Sequence, residues 1–294
     1  MAYNQGGLDL MFSFLIDTSN LLYRGYYSYP NSLYGEVLFA LTTIQKLLKD
    51  NPGSQVYLCL DGARKGDSLN TEYKANRDHG GINVYRYLPQ LVYLVKDLTH
   101  VHIAYNPSLE ADEVIFSLTR ILNGKKIIIS TDNDLLQSLR EDTEILRKGI
   151  AINESYYKDE MFAKFHAVSP SRLPIYRAIV GDASDNLKPP VPRFPKELAA
   201  SLAESIPYTG ECPSKESFED FARTLFDDAS VSKLSKLYAL IAQYDSFKTN
   251  FMIMKLDVYQ DVFHPYLDDT PVIPNFPSSV IAMFRVLKDT DAGI

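Results

Sequence analysis

The sequence predicts an α/β protein with a central, mostly parallel sheet and helices on both faces, and three observations carry that expectation. Short apolar runs of strand length alternate with stretches of helical periodicity. The apolar runs lead repeatedly into acidic residues, as the carboxyl ends of parallel strands do where ligand sites form. A chain of 294 residues, 46% hydrophobic and 23% charged, also has the length and composition to bury a sizeable core.

The elements follow in order. Phe12 to Ile16 reads as the first strand and leads into a loop. Val37 to Leu48 reads as a helix stopped by Asn51-Pro52-Gly53. Gln55 to Leu60 and Val101 to Tyr105 read as strands, Glu110 to Leu122 as an amphipathic helix, Lys126 to Ser130 as a strand, Leu135 to Arg140 as a short helix and Thr143 to Leu146 as a strand. Residues 1–186 thus form the core. The connection 62–99 is too long for an ordinary loop and is expected to be a functional excursion with helices of its own. From Gly62 to His100 it carries six Lys or Arg against four acids, a local excess of positive charge in a chain of net charge −7. At Leu187 the alternation stops. A stretch with Pro189, Pro190, Pro192 and Pro195 opens a separate helical subdomain, 187–256, and 257–294 reads as an irregular tail.

No apolar run reaches the roughly 18 residues that a membrane span needs. Leu10 to Ile16 has no basic residue before it and is closed by Asp17, so it fits neither a signal peptide nor an anchor; the expectation is a cytoplasmic protein with no membrane partner. Cys59 and Cys212 are the only cysteines, which excludes a disulfide framework and a cysteine zinc site. The net charge speaks against a polyanionic partner unless the acids bind metal, in which case two divalent cations would offset four of the seven charges.

Asp17 ends the first strand and Asp61 the second. Glu110, Asp112 and Glu113 stand at a helix start after the third, Asp132 and Asp134 follow the fourth, and Asp182 and Asp185 lie in Gly181-Asp182-Ala183-Ser184-Asp185-Asn186. Singly, each is an ordinary capping residue. Gathered on one edge they would repel one another unless something positive sat among them. Hard oxygen donors without His or Cys company select Mg²⁺ or Mn²⁺, and two such ions suit in-line phosphoryl displacement by water. There is no Walker loop, no GxGxxG and no GxSxG elbow.

Five ordered blocks, Leu15-Ile16-Asp17-Thr18-Ser19-Asn20-Leu21, Glu72-Tyr73-Lys74-Ala75-Asn76-Arg77, Glu110-Ala111-Asp112-Glu113, Ser130-Thr131-Asp132-Asn133-Asp134 and the Gly181 to Asn186 run, resemble the motifs of the 5′-nuclease family. This is the family of flap endonucleases and of the 5′ to 3′ exonuclease domain of bacterial DNA polymerase I, and the chain is most similar to bacteriophage members. The resemblance implies a PIN-like nuclease core with a helical arch at 62–99 and nine acids, Asp17, Asp61, Glu110, Asp112, Glu113, Asp132, Asp134, Asp182 and Asp185, as ligands of two Mg²⁺ or Mn²⁺ ions. Glu113 stands where the family usually has Asp. It implies catalytic roles for Lys74, Arg77 and Arg24 and a base-stacking role for Tyr73. The implied activity is structure-specific 5′ to 3′ exonuclease and flap endonuclease cleavage in replication or recombination, on DNA with a 5′ end or flap that can include RNA, beside replisome proteins.

After Asn186 the family usually continues with glycine-bearing hairpins, a helix-two-turn-helix whose amides hold duplex phosphates and a potassium ion. Leu187 to Lys196 contains no glycine and four prolines, and proline has no N–H to donate. This argues against the amide cradle and the potassium. Either Lys188, Arg193 and Lys196 hold the duplex by their side chains, or this face serves another partner. Two alternatives keep the same core: a PIN-like ribonuclease and a non-catalytic nucleic-acid or replisome binding module.

Overall fold

The structure, a computed structural model, describes residues 12–62, 69, 83–225, 231–266 and 276–294. Its chain order begins with β1 (Phe12–Asp17), α1 (Thr18–Ser28), α2 (Gly35–Asp50), β2 (Gln55–Cys59), α3 (Leu88–Val95), β3 (Val101–Ala104), α4 (Ala111–Ile121) and β4 (Lys125–Ile129). There follow β5 (Thr143–Arg147), β6 (Ile150–Ile152), α5 (Leu173–Val180), α6 (Lys196–Ser205), α7 (Lys215–Thr224), α8 (Val231–Ala242), α9 (Tyr244–Met254) and α10 (Ser278–Ala292). The sheet order is β3-β2-β1-β4-β5-β6, parallel throughout except for β6, which pairs antiparallel with β5. The mostly parallel α/β architecture is as the sequence predicts.

Alternation along the strands divides the core. Leu15, Ile128 and Ile145 point to one face, under α4 and α5, while Phe14, Ile16, Leu58, Ile127 and Ile129 point to the other, under α1, α2 and α3. Because β1 to β4 run parallel, the acids that follow them come out on one edge.

Four expectations are corrected. Residues after Asp17 form helix α1 rather than a loop: the Asp17 carboxylate accepts the Asn20 N–H at 2.9 Å, and Leu21, Leu22 and Gly25 are buried. Gly25 permits this packing, since a Cβ there would lie 2.8 Å from the Glu36 Cα. The helix after β4 is a 3-10 turn, Asp134–Ser138. The 187–256 helices do not form a core of their own, because one continuous apolar cluster joins Leu15 and Ile128 of the sheet to Leu198, Phe218, Leu237 and Phe251. Nor is 257–294 irregular throughout. Tyr105 donates its N–H to the Val262 carbonyl and accepts from the His264 N–H, both at 2.8 Å, so the segment docks beside β3. Beyond it, α10 buries Val280 and Leu287 in the cluster of α2 and anchors through Asp291, which accepts the N–H groups of Thr99 and His100 at 2.8 Å each. Among the described residues no helix is long and apolar enough to cross a membrane.

Candidate active site

The carboxyl edge of the sheet brings acids together in two groups. In the first, Asp17 is buried at the end of β1, with Oδ1 accepting from the Asn20 N–H and Oδ2 from the Ser130 hydroxyl at 2.9 Å. Burial, together with the charges of Asp61 and Asp132, raises its pKa from 3.8 to about 7. Asp61 accepts the Ala111 N–H at 2.9 Å, so the carboxylate stands at the start of α4, where the helix dipole favours it. Its other oxygen accepts from the hydroxyls of Ser19 and Tyr85. Beneath them the buried Cys59 thiol is pushed well up, chiefly by burial and then by the charges of Asp17, Asp112 and Asp61, which places Asp112 with this group.

The Asp132 loop is held from several sides. The Asp132 N–H donates to the Ser130 hydroxyl at 3.1 Å and the Asp134 N–H to Asp132 Oδ1 at 2.8 Å. Arg147, from β5, donates to the Asp132 carbonyl and to Asn133 Oδ1, both at 2.8 Å, and the Asn20 amide donates to the Thr131 hydroxyl at 2.7 Å. The loop's direction is therefore fixed by side chains from α1 and β5.

The second group is built around a cation. The Arg177 guanidinium, on α5, pairs with both Asp134 and Asp182. Asp182 lies in a tight turn closed by reciprocal bonds, its N–H to the Leu187 carbonyl at 2.8 Å and the Leu187 N–H back at 2.7 Å. Gly181 makes this turn possible: its φ is +76°, and a Cβ there would lie 2.5 Å from the Leu187 carbonyl oxygen. From α9 the Asn250 amide donates to the carbonyls of Ala178 and Lys188, at 3.2 and 2.9 Å, clamping the turn from outside. Asp185 is buried in the same turn.

Two expected members lie elsewhere. Glu113 is 2% exposed, its carboxylate accepting the Glu110 N–H at 3.2 Å and the Tyr259 hydroxyl at 3.4 Å. This is the reciprocal arrangement that closes a helix start, with Glu110 at the N-cap. Its longer side chain reaches back to its own helix, where it closes the helix start together with Glu110. Arg24 is also drawn away, its guanidinium over the Phe39 ring at 5.5 Å and without a carboxylate within 4 Å among the described residues. Lys188, Arg193 and Lys196 are exposed along the proline-rich run. Tyr73, Lys74 and Arg77, and most of the arch, lie outside the described residues.

Arg177, Arg147 and Tyr85 were not picked out by sequence, and Ser130 entered only as part of its motif block. Their partners come from other segments, and a lone Arg on an apolar helix carries no signal of what it will pair with.

Among the described residues no three carboxylates already stand close enough to hold an ion. The donor set still fits a hard divalent cation: it is all oxygen, and the like charges of Asp61 and Asp132 bear on the buried Asp17 carboxylate.

Residues 13–166, more than half the chain, match the 5′-3′ exonuclease N-terminal resolvase-like domain family. The chain belongs to that family. As a member of it, the chain is 27% identical to the 5′-3′ exonuclease of Aquifex aeolicus over 243 residues, 76% of this chain and 81% of that one. It is 30% identical to the 5′-3′ exonuclease of Buchnera aphidicola from Acyrthosiphon pisum over 203 residues, 64% of this chain and 68% of that one. In fold it is similar to the T5 D15 protein crystallised with metal ions, with a TM-score of 0.64 at 16% identity, covering 95% of this chain and 99% of that one. A structure of the bacteriophage T5 D15 flap endonuclease with DNA and metal ions gives a TM-score of 0.61 at 16% identity, covering 96% and 99%.

Proposed function

We propose that this family member is a structure-specific 5′ to 3′ nuclease that hydrolyses phosphodiesters of DNA bearing a 5′ end or flap. The observation that carries the reading is the gathering of Asp17, Asp61, Asp112 and Asp132 at one sheet edge, where burial and then the charges of Asp61 and Asp132 raise the Asp17 pKa. The relatives named 5′-3′ exonuclease and the D15 structure with DNA support it.

Asp17, Asp61, Asp112 and Asp132, with Glu110, would hold divalent metal on one side, and Asp134, Asp182 and Asp185 on the other; Mg²⁺ or Mn²⁺ is the choice for all-oxygen donors. When bound, such ions activate water and stabilise the leaving oxygen. The chain's own groups keep this arrangement in place. Ser130 and Asn20 fix the two oxygens of Asp17, Arg147 holds the Asp132 loop, and Arg177 pairs with both Asp134 and Asp182. Lys74 and Arg77 would steer the scissile phosphate and Tyr73 stack on a base near the cut, while Lys188, Arg193 and Lys196 would contact duplex phosphates by side chain, a contact that weakens with salt.

The test is a 5′-flap duplex labelled at either end of the flap strand, incubated with Mg²⁺, with Mn²⁺ and with EDTA, beside a single-stranded RNA of the same length. Cuts near the junction in either metal and none in EDTA are expected. Cleavage of the RNA alone, or binding without turnover in both metals, would overturn the reading.

A further inference from the structure

Beside the acidic edge, on the face covered by α2, lies a cavity of about 360 Å³. Its walls come from α1, α2, the ends of β4 and β5, and the turn after β5. It has two chemical characters. Arg24, Lys46 and Lys148 bring three cations to it against one lining carboxylate, Asp50, which stands 3.8 Å from Lys46; Arg24 and Lys148 have no carboxylate within 4 Å among the described residues. Tyr29 and Phe39 supply an aromatic wall, their rings edge to face at a centroid distance of 6.4 Å, with the Arg24 guanidinium laid over Phe39.

Its position ties it to the cutting edge. Asn20, which holds Thr131 in the Asp132 loop, is one helical turn before Arg24 on α1. Arg147, which holds Asp132 and Asn133, immediately precedes Lys148. Lys148 has a φ of +49°, a backbone setting that β-branched residues avoid. Cations and rings converging in a cavity of this size match a nucleoside phosphate, with the phosphoryl group on the cations and the base or sugar against the rings.

We propose that this cavity is a subsite for a single nucleotide adjoining the cleavage edge, with the phosphate held by Arg24 and Lys148 and the base against Phe39 and Tyr29. The choice of ligand rests on the nuclease reading above. The nucleotide comes either from a strand engaged at the acids or from a free mononucleotide, and both present the same phosphate and ring.

The experiment is run in EDTA, so that no cleavage intervenes. 8-Azido-dAMP is photolysed on the full chain, alone and in competition with dAMP, with a 5′-phosphorylated tetrathymidylate, or with inorganic phosphate, and the labelled peptides are mapped. Calorimetry then compares wild type with Lys148→Asn, which tolerates the positive φ, and with Lys148→Arg, which keeps the charge; thermal melts confirm that both are folded. Label on the Tyr29–Phe39 segment, a loss of about tenfold in affinity for Lys148→Asn and its recovery in Lys148→Arg are expected. Competition by dAMP identifies a free nucleotide as sufficient, and competition by the tetrathymidylate alone identifies a strand; each supports the subsite. Label elsewhere, unchanged affinity in Lys148→Asn, or inorganic phosphate competing as well as dAMP would overturn it. Flap cleavage in Mg²⁺, assayed in parallel, separates the two claims. Normal cleavage without label in the cavity removes the subsite alone, whereas label in the cavity from a protein that never cuts removes the nuclease reading.

Discussion

Where Asp134 and Asp182 share the Arg177 guanidinium, Asp17 has, among the described residues, neutral donors, the Asn20 N–H and the Ser130 hydroxyl, set against the charges of Asp61 and Asp132. The same electrostatic problem is thus met in two ways within one edge. On the α5 side the chain supplies its own cation. On the β1 side the described residues supply no such cation, and a proton or a cation from solution compensates the charge there. The difference teaches that the two halves should respond oppositely to the removal of metal: the α5 side holds together, while the β1 side becomes sensitive to pH.

Arg177→Ala breaks the comparison most strongly, because it leaves two largely buried carboxylates without their counterion. A loss of about 3–5 kcal/mol is expected for the metal-free protein, read from urea melts in EDTA, with part of it restored by Mg²⁺. No change in the melt would mean that the ion pairs do not hold the α5 side. Asp291→Ala provides the contrast outside the edge. It removes the acceptor for two N–H groups and the His100 ring partner, so about 1–3 kcal/mol should be lost while flap cleavage at a temperature below the melt stays at the wild-type rate. A fall in cleavage would tie α10 to the site.

Asp17→Asn sharpens the comparison through pH. Asn still caps α1 but carries no charge. The folded-state pKa of Asp17 lies above its unfolded value, so its contribution is present in full below about pH 4 and is lost as pH rises through about 7. In EDTA the wild type should therefore lose stability relative to Asp17→Asn between those limits, and added Mg²⁺ should flatten the difference. Parallel pH curves for the two proteins would show that the charge on Asp17 is not strained.

Much of this was legible in the chain. The strands β1 to β5 announce themselves as apolar runs, and the acids after them mark the edge before any coordinates are seen. What sequence did not show has physical reasons. Helix α1 is rich in tyrosine and contains Gly25, so its propensity is modest; its stability comes from the Asp17 cap and the close packing that Gly25 allows against α2. Helix α10 buries only Val280, Leu287 and Asp291, and an acid as anchor gives no apolar stripe to read. Strand β6 has three residues, too short for a period to register. Glu113 was read with its neighbours because it follows Asp112, but one extra methylene lets it turn back onto the helix start. Arg147 and Arg177 act on loops distant in sequence, and only the fold joins them.

The most direct measurement of the central claim, that this carboxylate edge carries the chemistry, is the single-turnover rate of flap cleavage by Asp132→Asn in saturating Mg²⁺, with duplex binding measured in parallel. The account predicts a rate at least ~100-fold below wild type with binding retained. A rate within a few-fold of wild type would contradict it and move the chemistry away from the edge.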